Sequence, residues 1–306
     1  MLVPPRPWTN PQTGGYLAYR HWVMRTKGSE RQRQVLMEAQ LPSVYKALDI
    51  LGSTPWRINQ FVLQIAQRAW ESGGGMLELP SRTDLVIPTP PENFLDDPKE
   101  RRKFQAHQRR VIQQQRDLHG LRCALNYQLD VAVEFRDRVF YFPHNLDFRG
   151  RSYPIPPHLN QMGSDLCRGL LMFAEAKPLG EGGLRWLKIH LANLYGNDKI
   201  THDERLAFID AHMDEVLASA ADPLGSGTWW QGADSPWQAL GVCQVEKSMF
   251  FCFTFVFKRF FFFSGHSRGH FFWRSCIIQM QRSCSSGRLL QWVATLCRAW
   301  WGCSRS

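Results

Sequence analysis

The sequence predicts an α-rich α+β fold, and three observations carry that expectation. Apolar residues recur at helical spacing between Leu41 and Glu71. The stretch from Lys99 to Arg136 holds no Pro and a single Gly, and is rich in the good helix formers Gln, Arg, Leu and Ala. The segment from Arg138 to Pro156 combines β-branched and aromatic residues bounded by Pro and Gly, the signature of short strands around a turn.

In chain order, residues 1–20 are rich in Pro and Gly, end in Thr13-Gly14-Gly15-Tyr16, and read as a loop or extended segment that needs a larger surface to lie on. Val44, Leu48 and Leu51, then Ile58, Phe61, Val62, Ile65, Ala66 and Trp70, define two helices separated by Gly52-Ser53-Thr54-Pro55. Gly73 to Gly75, Pro80, Pro88, Pro90 and Pro91 make residues 72–97 a long irregular connection. Asp96-Asp97-Pro98 then opens one long helix or two consecutive ones, ending near Arg136. After the strand pair, helical patterning returns at Asp165 to Ala174, Glu181 to Leu194, Asp203 to Ser219 and Pro236 to about Cys243.

Of the 306 residues 44% are hydrophobic and 21% charged, which is globular, and no apolar run reaches the roughly 18 residues of a membrane-spanning helix. The formal charge of +10 is unevenly placed. From Lys247 to Ser306 there are nine basic residues and no acid, whereas residues 1–246 hold 28 basic against 27 acidic residues. The high pI is therefore no nucleic-acid footprint of the main body. The text itself changes near residue 247: eleven of the 20 Phe lie between Phe250 and Phe272, five of the eight Cys lie beyond residue 250, and the last Pro is Pro236. Cys123, Cys167 and Cys243 are isolated and read as reduced structural thiols. The opening Met1 to Trp8 has no signal-peptide or presequence pattern, so the chain reads as cytosolic or as lacking its natural N-terminus.

The most informative stretch is Asp147-Phe148-Arg149-Gly150-Arg151-Ser152-Tyr153. Two guanidiniums flank a Gly, and in an extended segment Arg149, Arg151 and Tyr153 project to one face. Planar guanidinium forks match phosphate oxygens, and an aromatic ring stacks on a base or sugar. The plainer reading is a surface turn whose arginines pair with Asp147 or other carboxylates. Arg101, Arg102, Lys103, Arg109 and Arg110 offer a second basic run, better read as a solvated helix face than as a phosphate contact.

Together with Phe142-Pro143-His144-Asn145, Gly163-Ser164-Asp165, Arg168 to Leu171, Lys177 to Gly180, Trp186 to His190, Asn193 and Trp229-Trp230, this motif resembles the single-subunit, phage-type RNA polymerases of mitochondria, plastids and phages. The resemblance runs from about Pro4 to Glu246. It implies part of a right-hand polymerase fold, thumb helices plus a partial palm with short strands: residues 1–40 a remnant of the N-terminal region, 41–138 the helical thumb side, 139–246 the first part of the palm. It implies RNA synthesis on a DNA template from ribonucleoside triphosphates with two Mg²⁺ ions, with DNA, the RNA transcript and transcription initiation factors as partners, in a mitochondrion or plastid. Arg149 and Arg151 would hold phosphate or sugar, Tyr153 would support the template strand, and Lys199 would contact the incoming triphosphate. His144, Asp147, Trp186, His190 and Trp229-Trp230 would be packing or supporting groups.

The resemblance stops before the residues of the chemistry. The family continues into an Asp-Gly-Ser-Cys segment whose Asp is the first metal ligand, and that text is absent from the printed sequence, which leaves no catalytic or metal-binding residue to assign. If the codons of Gly287 to Gly302 are read one base later, Trp292, Trp300 and Trp301 must each give Gly, and no position forbids Asp-Gly-Ser-Cys-Ser-Gly-Leu-Gln-His-Tyr-Ala-Ala-Leu-Gly-Gly-Asp. Residues 247–306 thus read as polymerase text translated out of frame after intron retention or a gene-model error, without a stable packed core. The chain as printed is then expected not to polymerise. The alternative is a truncated isoform that binds nucleic acid without catalysis; a metal site at His266, His270 and Cys276 would rest on the out-of-frame text.

Overall fold

The computed structural model describes residues 1–90, 98–177 and 179–248, and these fall into two compact units, the first Met1–Phe173 and the second beginning at Ala174. The fold is α-rich α+β, as the helical spacing indicates. The expectation of an unpacked tail covers residues 247–306; residues 247 and 248 are helical, and residues 249–306 lie outside the described residues, as do residues 91–97 of the long connection.

The first unit opens with a correction. Residues 6–15 are an antiparallel hairpin of β1 (Arg6–Asn10) and β2 (Thr13–Gly15), not a loop. Trp8 explains it: the indole is 5% exposed and packs with Val23, Leu36 and Leu48. A Cβ on Gly14 would lie 2.4 Å from the Trp8 ring, so only glycine lets the second strand close over it. A helix the sequence reading did not identify, α1 (Glu30–Glu38), follows; Ser29 caps it by accepting from the Gln32 amide.

The two expected helices are α2 (Pro42–Ser53), with Pro at its first position, and α3 (Gln60–Glu71), capped by Asn59. Val62, Leu63, Ile65, Ala66 and Ala69 form the buried stripe of α3. Between these helices lies β3 (Trp56–Ile58), which pairs with a strand 115 residues later. The Pro-free stretch is a single helix, α4 (Pro98–Glu134), 37 residues and about 55 Å long. Only Val111, Leu125, Leu129 and Ala132 are buried along it, so most of its surface faces water. Arg122 on α4 fastens the preceding connection, donating to the carbonyls of Ser81 (2.7 Å) and Thr83 (2.6 Å) and pairing with Asp84.

The second hairpin is β4 (His144–Leu146) and β5 (Ser152–Pro154), in the register Asn145 opposite Tyr153. The expected helix from Asp165 to Ala174 is shorter, α5 (Asp165–Gly169), because residues 171–173 form β6 (Leu171–Phe173) against β3. That pairing satisfies their backbone groups outside a helix.

In the second unit α6 (Gly180–Tyr195) stops at Gly196, whose φ of +111° suits glycine at a helix C-terminus. The helix expected from Asp203 to Ser219 is two helices, α7 (His202–Ala211) and α8 (Met213–Ala221). The break falls at His212, whose ring Nδ1 donates to the Phe208 carbonyl while its amide bonds to Ile209 instead. A capping box of Thr201 and Glu204 opens α7. A 3-10 turn (Trp229–Gly232) leads to α9 over residues 236–248. Trp230 and Trp237 are fully buried, and Leu191, Ala192, Ile209, Val216 and Cys243 complete a core.

Trp230 also donates its indole N–H to the Pro223 carbonyl at 2.9 Å. Trp230→Ala is therefore expected to destabilise the second unit by about 3–5 kcal/mol through lost burial and a residual cavity. Urea unfolding followed by tryptophan emission checks this; an unchanged midpoint would refute the core assignment.

Candidate nucleic-acid interface

The β4–β5 hairpin carries three of the four sequence-designated residues, and its turn is built around one carboxylate. Asp147 Oδ1 accepts from the backbone amides of Arg149 and Arg151, both at 2.8 Å. The Asp147 amide donates to the Arg151 carbonyl at 2.8 Å, and the Gly150 amide donates to the Asp147 carbonyl at 3.1 Å. Gly150 takes φ +81°, a left-handed conformation that glycine adopts without Cβ strain. Asp147 thus organises the backbone of the turn rather than neutralising its arginines.

The placement corrects the expected geometry. Arg149 and Arg151 do not lie along an extended strand with Tyr153: they sit on either side of Gly150 in the turn, and only Tyr153 belongs to a strand. Both guanidiniums are exposed, and among the described residues neither makes an ion pair; Arg149 lies over the Phe148 ring at 5.1 Å. The plainer reading, arginines paired with carboxylates, is not what the turn adopts. Two exposed cations stand at the tip of a hairpin whose backbone Asp147 braces, an arrangement suited to phosphate oxygens.

Sequence reasoning missed Arg25. Its amide donates to the Leu146 carbonyl (2.8 Å) and its side chain to Asn145 Oδ1 (3.0 Å) and the Pro154 carbonyl (3.3 Å), with the guanidinium over the Tyr153 ring at 5.1 Å. No spacing signal could have found it, since the contact spans about 120 residues.

Lys199 lies in the second unit, exposed in the turn between α6 and α7. Arg205 shapes that turn, donating to the carbonyls of Ile200 (2.9 Å) and Asp198 (2.5 Å) and to Asn193 Oδ1 (2.8 Å). His144 is buried, with Nδ1 on the Phe142 carbonyl and Nε2 against Gln161, and burial lowers its pKa. Trp230 is packed as expected, but Trp186 and His190 are exposed. In the basic run of α4, Lys103 pairs with Glu100 and Arg109 donates to the Gln105 carbonyl, as on a solvated helix face. Among the described residues no three His, Cys, Asp or Glu side chains converge as a metal site. No helix among them is long and apolar enough to cross a membrane.

A buried acid stands apart from these groups. Glu246 on α9 is 3% exposed, and its Oε1 has no hydrogen-bond partner among the described residues. Burial pushes its pKa from 4.5 up to about 7; Lys188 opposes the shift and Asp210, ion-paired with Lys188, adds to it. Burial and Glu246 together push Cys243 up to about 12.

Known proteins match this chain. The DNA-dependent RNA polymerase family matches residues 177–251, and the DNA-directed RNA polymerase N-terminal family matches residues 1–53. The chloroplastic DNA-directed RNA polymerase 3 of Nicotiana sylvestris is 47% identical over 249 residues, covering 79% of this chain and 25% of that protein. DNA-directed RNA polymerase 2, chloroplastic/mitochondrial, of Arabidopsis thaliana is 46% identical over 249 residues, 79% of this chain and 24% of its own length. The mitochondrial DNA-directed RNA polymerase 1 of the same plant is 44% identical, with 79% and 25% covered. These matches place the chain in the single-subunit, phage-type DNA-directed RNA polymerase family. It spans about a quarter of the length of the curated relatives it matches.

Two expectations follow from the geometry. Asp147→Ala should speed hydrogen exchange at the Arg149 and Arg151 amides by about ten-fold, the size of one net hydrogen bond, while Asp147→Asn, which keeps the acceptor, restores most of the protection. Unchanged exchange in Asp147→Ala would refute the carboxylate's role. For Glu246 the folded state binds more protons than the unfolded one between pH 4.5 and about 7, so its contribution to stability falls as pH rises through that window and is constant above it. Glu246→Gln should remove this decline, seen as a higher urea midpoint than the parent at about pH 8 and little difference at about pH 4.

Proposed function

We propose that this chain acts as part of an organellar DNA-directed RNA polymerase, with the β4–β5 turn as a grip on the nucleic-acid backbone. The observation that carries the reading is the pair of exposed guanidiniums of Arg149 and Arg151, held on either side of Gly150 by a carboxylate spent on backbone amides. Guanidiniums that make no ion pair among the described residues neutralise phosphate charge at the tip of a braced hairpin without reading sequence. Tyr153, on the strand behind them, supports the template strand. In this reading residues 41–138 are thumb-side helices and residues 139–246 the first part of the palm.

The substrates are a DNA template and ribonucleoside triphosphates, the product an RNA transcript, and transcription initiation factors are further partners. Lys199, on a turn whose carbonyls Arg205 holds, is the group proposed to meet the triphosphate. The relatives' names carry the words chloroplastic and mitochondrial, which supports action in an organelle. Mg²⁺ is the metal this chemistry would use, but the described residues offer no ligand cluster for it, so no step through the metal is assigned to them. The printed sequence also lacks the family's Asp-Gly-Ser-Cys segment.

The test is a salt titration of RNA–DNA hybrid binding by the 306-residue chain. Each of Arg149→Ala and Arg151→Ala should weaken binding and lower the slope of log K against log salt by about one. Binding that is salt-independent, or unchanged in both variants, would overturn the reading.

A further inference from the structure

Tyr153 is half-buried, and its position is fixed from outside its own hairpin. Val23 is fully buried, its amide donates to the Pro11 carbonyl at 2.9 Å, and its carbonyl accepts from the Leu146 amide at 2.7 Å. The next residues continue beside β4: Met24 bridges Leu146 in parallel, and the Arg25 amide returns a hydrogen bond to the Leu146 carbonyl. Residues 23–25 thus act as a short third edge to the β4–β5 ribbon.

From that edge the Arg25 side chain crosses the face of the hairpin that holds the opposed pair Asn145 and Tyr153. It bonds to Asn145 Oδ1 on one strand and to the Pro154 carbonyl on the other, and its guanidinium carbon lies over the Tyr153 ring, 5.1 Å from the centroid. A guanidinium presents five N–H donors in a rigid planar fork, whereas an ammonium is a compact point charge on a flexible stem, so Arg and Lys are not interchangeable at such a site. Among the described residues the Tyr153 hydroxyl has no hydrogen bond, and the residue keeps part of its surface open to solvent.

We propose that Arg25 is a positioning residue for nucleic-acid binding: it holds the Tyr153 ring from behind, so that a strand lying along Arg149 and Arg151 meets a fixed platform on the opposite ring face. Two of the five Arg25 N–H donors are held by Asn145 and Pro154; Arg25 acts through Tyr153, and the salt slope of its variants tells this from a direct phosphate contact. This rests on the reading of the 147–153 turn as the nucleic-acid grip, and it assigns a different element, residues 23–25, a share in that grip.

The experiment is a double-mutant cycle on the full chain, with a short RNA–DNA hybrid as probe and salt titration of each variant. Tyr153→Ala is expected to weaken binding about ten-fold, the lower end of a base–aromatic stacking contribution. Arg25→Ala should match it, the double variant should be no weaker than either single one, and the salt slope should equal the parent's. Arg25→Lys, which keeps the charge but loses the plane, should behave as Arg25→Ala. If Arg25→Ala does not fold, as judged by its urea transition, Arg25→Lys carries the same cycle.

Additive losses, unchanged affinity in Arg25→Ala, or a salt slope lowered by about one would each overturn the inference, the last by making Arg25 a direct phosphate contact. A parent chain that fails to bind the hybrid overturns the grip reading, and the inference falls with it. Binding that responds to Arg149→Ala but not to Arg25→Ala overturns the inference alone.

Discussion

One carboxylate oxygen sets the shape of the candidate interface. Asp147 Oδ1 receives the amides of Arg149 and Arg151 at 2.8 Å each, and without it a turn between two three-residue strands would have little to define it. An isolated two-stranded ribbon is at best marginally stable in water. This one is held from two sides: Leu146 packs on the cluster around Trp8, Val23, Leu36 and Leu48, and residues 23–25 bond along β4. The opening hairpin, which reads as mere Pro- and Gly-rich text, thus has a mechanical role. Gly14 lets Trp8 close, the Trp8 cluster anchors Val23, and Val23 fixes the edge on which the second hairpin rests. The cations at the tip are then presented by packing that begins some 140 residues earlier in the chain.

The second unit applies the same economy to Lys199. Gly196 ends α6, the capping box of Thr201 and Glu204 begins α7, and Arg205 reaches back to hold the carbonyls between them. Polar atoms of the turn are satisfied by one guanidinium, which leaves the Lys199 ammonium exposed. Beneath it the core is aromatic, with Tyr195 stacked on Trp229 at 4.4 Å and Trp230 against Trp237 at 5.3 Å. Glu246 is the exception in that interior, an acid whose burial favours its neutral form.

Where a signal was local, the sequence was a good guide. The apolar spacing of α3, the uninterrupted run of α4 and the Gly at the end of α6 each report on neighbouring residues, and all three elements stand where the pattern puts them. Three-residue strands carry no usable period, so β3 and β6 could not be read: their pairing joins Trp56 to Phe173, and it shortens a helix that local preference would extend. The break between α7 and α8 turns on one histidine side chain bonding back to its own helix, which propensity does not register. At the candidate interface the motif draws attention to Arg149, Arg151 and Tyr153, but an extended-strand picture misplaces the arginines, since it ignores the left-handed backbone at Gly150. Arg25 was illegible because it is brought to Tyr153 by tertiary packing alone.

The most direct test of the central claim is to map where a photoreactive RNA, carried in an RNA–DNA hybrid, cross-links to the 306-residue chain. The account predicts cross-links in the peptide spanning Asp147 to Tyr153, at the tip that Asp147 organises. Cross-links confined to the basic run of α4 between Arg101 and Arg110 would contradict it, and would make that helix, not the hairpin, the nucleic-acid contact.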